Sequence, residues 1–169
     1  MFTTGLLLGG TLTASVLWLL SGLTSPIPAV GRHAVIVAAA VVFALRDAGL
    51  VRFPMPQNAR QVPQDVLQRN LLRGSLQFGF ELGTGVRTYV SASAAYVLAL
   101  GLLVSGVDYP IALAAGLGFG AGRAATPLMR VASGDGVGWD ARLIGRLRFI
   151  TIGTCLVLAA TFAILLFAA

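Results

Sequence analysis

Residues 3–23, 33–50, 109–130 and 147–168 each form an apolar stretch close to the ~20 residues that a helix needs to cross a bilayer, and a fifth stretch, 75–106, runs longer. In hydrocarbon no water satisfies an unpaired backbone amide, so such segments fold as helices that close their own hydrogen bonds. Composition agrees: 57% of the residues are hydrophobic, 11% are charged and the mean hydropathy is +0.87, outside the usual balance of a soluble domain. The expected fold is all-α: a polytopic helical membrane protein of about five transmembrane helices, plus a short interfacial helix, in a single integral membrane domain covering residues 1–169. Phe2–Leu23 is expected to be the first of those helices and not a cleaved leader. No basic segment precedes its long apolar run, and Ser25-Pro26-Ile27-Pro28 lacks the small-residue pattern of a cleavage site.

The net charge of +6 comes from twelve Arg and no Lys against six acidic residues. A nucleic-acid binder clusters such residues on a water-facing surface. Here Arg46, Arg52, Arg60, Arg69 and Arg73 fall in or beside one connection, and Arg130, Arg142, Arg146 and Arg148 in or beside another. Anionic lipid head groups, not nucleic acid, are the expected partner. Arg-rich connections stay cytoplasmic, so 51–74 and 131–146 should share that face, with an even number of crossings between them. One crossing by 75–106 and one return by 109–130 satisfies this; so does a re-entrant loop at 75–89 followed by a span from residue 90. The first arrangement gives five spans, the N-terminus cytoplasmic and the C-terminus outside. The Arg-only usage and the richness in Ala, Gly and Val suggest a GC-rich coding genome, and with it a bacterial plasma (inner) membrane. Cys155 and His33 are each the only residue of their kind. They build neither a disulfide framework nor a metal site, and no cofactor is expected.

Pro54, Pro56 and Pro63 make the first half of 51–74 extended. Its second half, from Pro63 through Val66, Leu67 and Leu71, reads as a short helix lying on the membrane surface. The connection 131–146 reads as a loop. Its run Gly134-Asp135-Gly136-Val137-Gly138 follows no strand and is a turn in preference to a phosphate cradle, Trp139 suits the interface, and Asp140 is expected to cap the last helix.

The third stretch carries the chemistry. At ~1.5 Å per residue its 32 residues would reach about 48 Å against a hydrocarbon core of ~30 Å, so the helix is long, tilted, kinked or broken, or it is two elements. Gln77, Glu81, Thr84, Thr88 and Ser91 recur at steps of four and three and would share one helical face. Arg87 lies beside that stripe, about 120° from Glu81 on a regular helix, and meets it only if Gly83-Thr84-Gly85 unwinds. A charge inside the bilayer costs roughly 2.5–3.5 kcal/mol even on lenient scales, so Glu81 and Arg87 mark the place where function is expected. The plainer alternative is a packed ion pair or a hydrogen-bonded carboxyl. Gly79 and Gly83 offer a small-xxx-small packing face, and Gly116, Gly118, Gly120 and Gly122 give two overlapping GxxxG spacings ahead of Arg123, which is expected to sit at a charged helix end and snorkel to the cytoplasmic side. Thr4, Thr11 and Ser15 share a face of the first span, and Thr151, Thr154 and Thr161 a face of the last. Such stripes often serve as interhelical glue worth ~0.6 kcal/mol per bond.

The glycine-interrupted element Phe78-Gly79-Phe80-Glu81-Leu82-Gly83-Thr84-Gly85, with Gly118-Phe119-Gly120-Ala121-Gly122, resembles the broken helices of the cytochrome c biogenesis type of membrane thiol-disulfide transporter. The resemblance covers residues 75–130 and implies an architecture of interrupted helices. That family works through a membrane cysteine pair, which this sequence lacks, so its redox activity does not carry over.

Two functions follow. One is a permease-like transporter of a small solute or ion along the Glu81 stripe, in a homo-oligomer because five short helices enclose little space. The other is a non-catalytic membrane subunit that docks a partner protein through its glycine-rich faces. An enzyme is not the expectation, since His33, Asp47, Asp65, Asp135 and Asp140 form no catalytic motif. The orientation has a direct check: a cysteine placed at Asn58 should resist an impermeant thiol reagent added to intact cells, and labelling there would invert the topology.

Overall fold

A computed structural model describes residues 1–55, 71–85 and 92–168. These residues fold into α1 (Phe2–Ser21, continued by a 3-10 turn Gly22–Thr24), α2 (Ala29–Asp47), α3 (Leu71–Thr84), α4 (Ala94–Val104), α5 (Tyr109–Ala132) and α6 (Gly136–Ala168), with no strand among them. Three stretches, Phe2–Thr24, Ala29–Asp47 and Gly136–Ile164, are long and apolar enough to cross a membrane. The chain is thus all-helical with membrane-spanning candidates. Large apolar side chains such as Leu19, Val30, Leu128, Phe149 and Val157 stand exposed, a surface that a water-soluble protein avoids.

Local sequence explains the helix boundaries. Pro28 takes an extended conformation (ψ 142°) and opens α2 at Ala29, four residues before the expected start. Gly49 closes it with a φ of 78°, a left-handed conformation that glycine adopts without strain. Pro110 occupies the first turn of α5, where its missing N–H costs nothing. Between α5 and α6 only Ser133, Gly134 and Asp135 are non-helical. The expected loop 131–146 is therefore a three-residue turn, and Asp140 lies within α6 instead of capping it. Gly134 turns left-handed at φ 67°, but Gly136-Val137-Gly138, expected to belong to the same turn, already lie in a helix that the apolar residues beyond them stabilise.

Of the alternatives that the length of 75–106 leaves open, the structure shows the interrupted one. The stretch divides into the 14-residue α3 and the 11-residue α4. At ~1.5 Å per residue these are about 21 and 17 Å long, each shorter than a ~30 Å hydrocarbon core. α3 stops where Gly85 turns left-handed at φ 67°. The start of α3 at Leu71 takes in the end of the 51–74 connection, whose predicted surface helix, from Pro63 onward, otherwise falls on 63–70, outside the described residues.

The helices divide into two compact units. In the first, α1 up to Val16 packs with α3 and α5 through glycine. A Cβ added to Gly79 would fall on the carbonyl oxygen of Phe2, and one added to Gly83 would stand 2.9 Å from Leu6 Cα. Gly5 and Gly9 present the reciprocal surface to the α3 backbone. Against α5, a Cβ on Gly116 would lie 2.6 Å from the Gly10 oxygen, and one on Gly120 would lie 2.6 Å from the Leu6 oxygen. Backbone therefore touches backbone on two sides of α1, an approach that no larger residue permits. Of the two GxxxG spacings in α5, only Gly116/Gly120 packs in this way. Gly118 and Gly122, two positions on and so rotated by about 200°, are exposed with nothing within 4 Å of an added Cβ.

The second unit holds α2, α4 and α6. His33, Ile36, Ala40 and Ala44 form the buried stripe of α2, Val97, Gly101 and Val104 lie on that of α4, and Thr151, Cys155, Ala159 and Phe162 on that of α6. Eight of these, all but His33, Gly101 and Thr151, make one apolar cluster. Its small members are matched to a large one: a Cβ on Gly101 would stand 2.9 Å from Phe162 Cε2.

Three substitutions test the glycine contacts. Gly79→Ala and Gly120→Ala should each destabilise the detergent-solubilised protein by ~1–3 kcal/mol, the range for overpacking, while Gly118→Ala should stay within ~0.5 kcal/mol of wild type. Denaturant unfolding followed by circular dichroism reads the difference, and equal losses at all three sites would contradict the packing.

Candidate functional site

The polar stripe begins as the sequence predicts. On α3, Gln77 Nε2 donates to Glu81 Oε1 at 3.0 Å, the i, i+4 pairing of one helical face. Thr84 Oγ1 donates to the Glu81 carbonyl at 2.8 Å. The Thr84 carbonyl, left open because α3 ends there, accepts from Thr13 Oγ1 of α1 at 3.1 Å. Gly79 and Gly83 are buried against α1, whereas Gln77 is exposed and Glu81 half-buried. Glycine thus points the packing face one way and leaves the carboxyl on another. Arg87, Thr88 and Ser91 lie outside the described residues.

A second charge belongs to the same unit. Gly85, where α3 breaks, faces the Phe119 ring of α5: an added Cβ would stand 3.5 Å from Phe119 Cζ. Over that ring, 5.7 Å from its centroid, lies the Arg123 guanidinium. Arg123 is interior to α5 and not at its end. Its side chain leans back over the residue four positions earlier, the direction in which helical side chains point, instead of reaching forward toward Arg130 as snorkelling would require. The cation–π contact holds it there. It makes no hydrogen bond or ion pair with the described residues. The break in α3 thereby gathers a carboxyl one turn before it, an aromatic ring against it, and a guanidinium on that ring.

The threonine stripes have a simpler role than expected. Ser15 of α1 bonds to the Thr11 carbonyl and, at 3.4 Å, to the Tyr109 hydroxyl of α5, but Thr11 donates to Leu7 and Leu8, Thr154 to Ile150 and Thr161 to Val157, each a bond to its own helix. Back-bonding of this kind satisfies a hydroxyl in lipid without gluing helices. Thr13, on none of the predicted stripes, makes the interhelical contact to Thr84.

The second unit contains a charged constellation that the sequence did not single out. Asp47, the last residue of α2, has a side chain only 5% exposed. Its Oδ1 accepts from Ser93 Oγ at 2.5 Å and from Arg46 Nη1 at 3.4 Å, and its Oδ2 accepts from the Ser93 backbone N–H at 3.2 Å. Ser93 is the N-cap of α4, yet its hydroxyl does not cap its own helix. The Asp47 carboxylate does so from α2, placing a negative charge at the positive end of α4. Arg46 also donates from Nη1 to Ser93 Oγ at 3.1 Å and from Nε to the Phe53 carbonyl at 3.2 Å, and its Cζ lies 5.5 Å from the Phe53 ring centroid. Arg148 of α6 donates to the carbonyl of Ala48, just beyond α2. Around Arg46, Asp47, Arg52 and Phe53 opens a cleft of about 530 Å³. Asp47 carries the same signal as Glu81, an acid within an apolar stretch, but the sequence offers it no catalytic motif and no visible partner.

At the other end of α2, Arg32 Nη1 donates to the Val104 carbonyl at 3.5 Å and its guanidinium occupies the space beside Gly106, which turns left-handed at φ 69°. α2 and α4 therefore run antiparallel. Arg32 Nε, His33 Nδ1 and Ser105 Oγ are buried there without a partner among the described residues.

No group of three or more His, Cys, Asp or Glu among the described residues could hold a metal ion. The Asp47 staple has a measurable weight. Asp47→Asn should cost ~1–3 kcal/mol, a buried-pair value reduced for the partly exposed Arg46, and Ser93→Ala ~1–2 kcal/mol. The double variant should cost clearly less than their sum, since both act on one network; additive losses in unfolding experiments would dissolve it. Comparison with known proteins gives no family, no curated relative and no solved structure that matches this chain.

Proposed function

We propose that the protein is a small permease-like transporter of the plasma membrane that passes a small solute or ion along the Glu81 face of α3. The observation that carries this reading is the interruption of the long apolar stretch at Gly85, one helical turn after an intramembrane carboxyl. Discontinuous helices are how transporters bring helix ends and ionisable groups to the middle of a membrane. In this reading Glu81, oriented by Gln77, carries the proton or cation. Arg123, held on Phe119 beside the break, is the charge that recognises an anionic group.

Five crossings with the N-terminus cytoplasmic fit this function. α1, α2 and α6 meet the length and hydropathy of a span. The 24-residue α5 is about 36 Å long, its hydropathy lowered by glycine and Arg123. α3 and α4 have a combined length of about 37 Å, enough for one crossing. Five short helices enclose little space, so the working unit is a homo-oligomer.

A second reading, a membrane subunit that docks another protein, is favoured by Gly118 and Gly122, which present an outward glycine face that nothing in the described chain covers. One preparation separates the two. In proteoliposomes made from the purified chain, wild type should carry a proton- or ion-coupled flux that Glu81→Gln abolishes while its circular dichroism stays unchanged. Full flux in that variant discards the site. Absence of flux from wild type, with a stoichiometric co-purifying membrane protein lost in Gly118→Leu, would favour the docking reading instead.

A further inference from the structure

We infer that the cleft at the end of α2 binds the phosphodiester head group of an anionic membrane lipid. Among the described residues Asp47 is the only carboxylate lining the cleft, and Ser93 and Arg46 already occupy both of its oxygens. Arg52, in contrast, is exposed and makes no hydrogen bond or ion pair with the described residues. Arg148 adds a further guanidinium at the same helix end through its bond to the Ala48 carbonyl. The residues gathered here thus carry three guanidinium charges against one carboxylate. Guanidinium forks match the oxygen pairs of a phosphate in geometry and charge. A zwitterionic head group gains less, because its ammonium would meet surplus positive charge and find no free carboxylate.

The apolar surroundings select a lipid in preference to a free phosphate. α2 is a membrane-span candidate, and the cleft opens just where it ends. Ala38, Val42, Leu45 and Gly49 recur at steps of four, three and four, and all four are exposed. Gly49 lines the cleft, so this apolar track leads along the helix directly into the cationic site. Leu50, 74% exposed, and Val51 lie beside it. Phosphate alone would use the guanidiniums and leave this track bare; an acyl chain descending from the head group covers it. Cationic pockets at the membrane boundary of helical proteins suit lipid head groups for the same reason. The inference uses the membrane character of α2 and is independent of the transport reading.

The test uses the full chain in a mild, uncharged detergent. Native mass spectrometry and thermal unfolding are recorded with phosphatidylglycerol, with phosphatidylcholine and with glycerol 3-phosphate as a chain-free phosphate ester. Phosphatidylglycerol should be retained and should raise the unfolding temperature, phosphatidylcholine should be retained several-fold less, and glycerol 3-phosphate should do neither at equal concentration. Arg52→Gln should lower phosphatidylglycerol retention about fivefold, and Arg52→Glu should remove the preference. Both variants should unfold like wild type without lipid, because Arg52 bonds to nothing in the described chain. Equal retention of the two lipids by wild type, or an unchanged preference in Arg52→Glu, overturns the site. An equal effect of glycerol 3-phosphate overturns its assignment to a lipid.

Discussion

The contact of α1 backbone with the backbones of α3 and α5 is the constraint on which the first unit depends. In lipid, helices gain little from burying apolar side chains, because the tails are as apolar as leucine. Association must come from close packing, and close packing is greatest where no Cβ intervenes. Gly5, Gly9 and Gly10 on α1 meet Gly79 and Gly83 on one side and Gly116 and Gly120 on the other. These contacts fix the rotation of α3 about its axis, and with it the direction of Glu81. A helix with leucine at residues 79 and 83 would stand farther off and could turn; this one is held at a set angle with its polar stripe away from α1. Glycine therefore positions the carboxyl without touching it.

The second unit solves the same problem with different residues. Its core mixes Ala40, Ala44, Gly101, Cys155 and Ala159 with Ile36, Val97 and Phe162, so packing is supplied by small residues against a few large ones. Its fastening is polar. Asp47 ties the C-terminus of α2 to the N-terminus of α4 and answers the dipole of the shorter helix, while Arg46 and Arg148 answer open carbonyls and the negative end of α2. α4, with 11 residues, is short for an independent helix. Its length and its position at the α2 terminus are consequences of that fastening as much as of its own sequence.

A linear pattern names the residues on a face but not what that face meets. Gly116/Gly120 and Gly118/Gly122 are indistinguishable as spacings, yet one pair is buried against α1 and the other is exposed. Thr11, Thr154 and Thr161 lie on the predicted stripes but bond within their own helices, whereas Ser15 also reaches Tyr109 and Thr13, on none of the stripes, reaches Thr84. Arg123 was expected to extend toward water because lipid penalises charge, and the Phe119 ring offered it a nearer partner. Asp47 and Ser93 lie 46 residues apart, and nothing in either neighbourhood announces the other.

By itself, the sequence determined the class of the protein, its helical content and the location of its charged anomalies. These follow from hydrocarbon's refusal of unpaired amides and isolated charge, a constraint each segment meets alone. Runs such as 3–23 and 33–50 were legible as helices to within a few residues, and the excess length of 75–106 already declared an interruption. Tertiary structure alone decided that the interruption falls at Gly85, which glycines pack, that Arg123 turns back over Phe119, and that Asp47 joins two helices. Those outcomes depend on the distance and rotation between helices, quantities set by the pair and encoded in neither member separately.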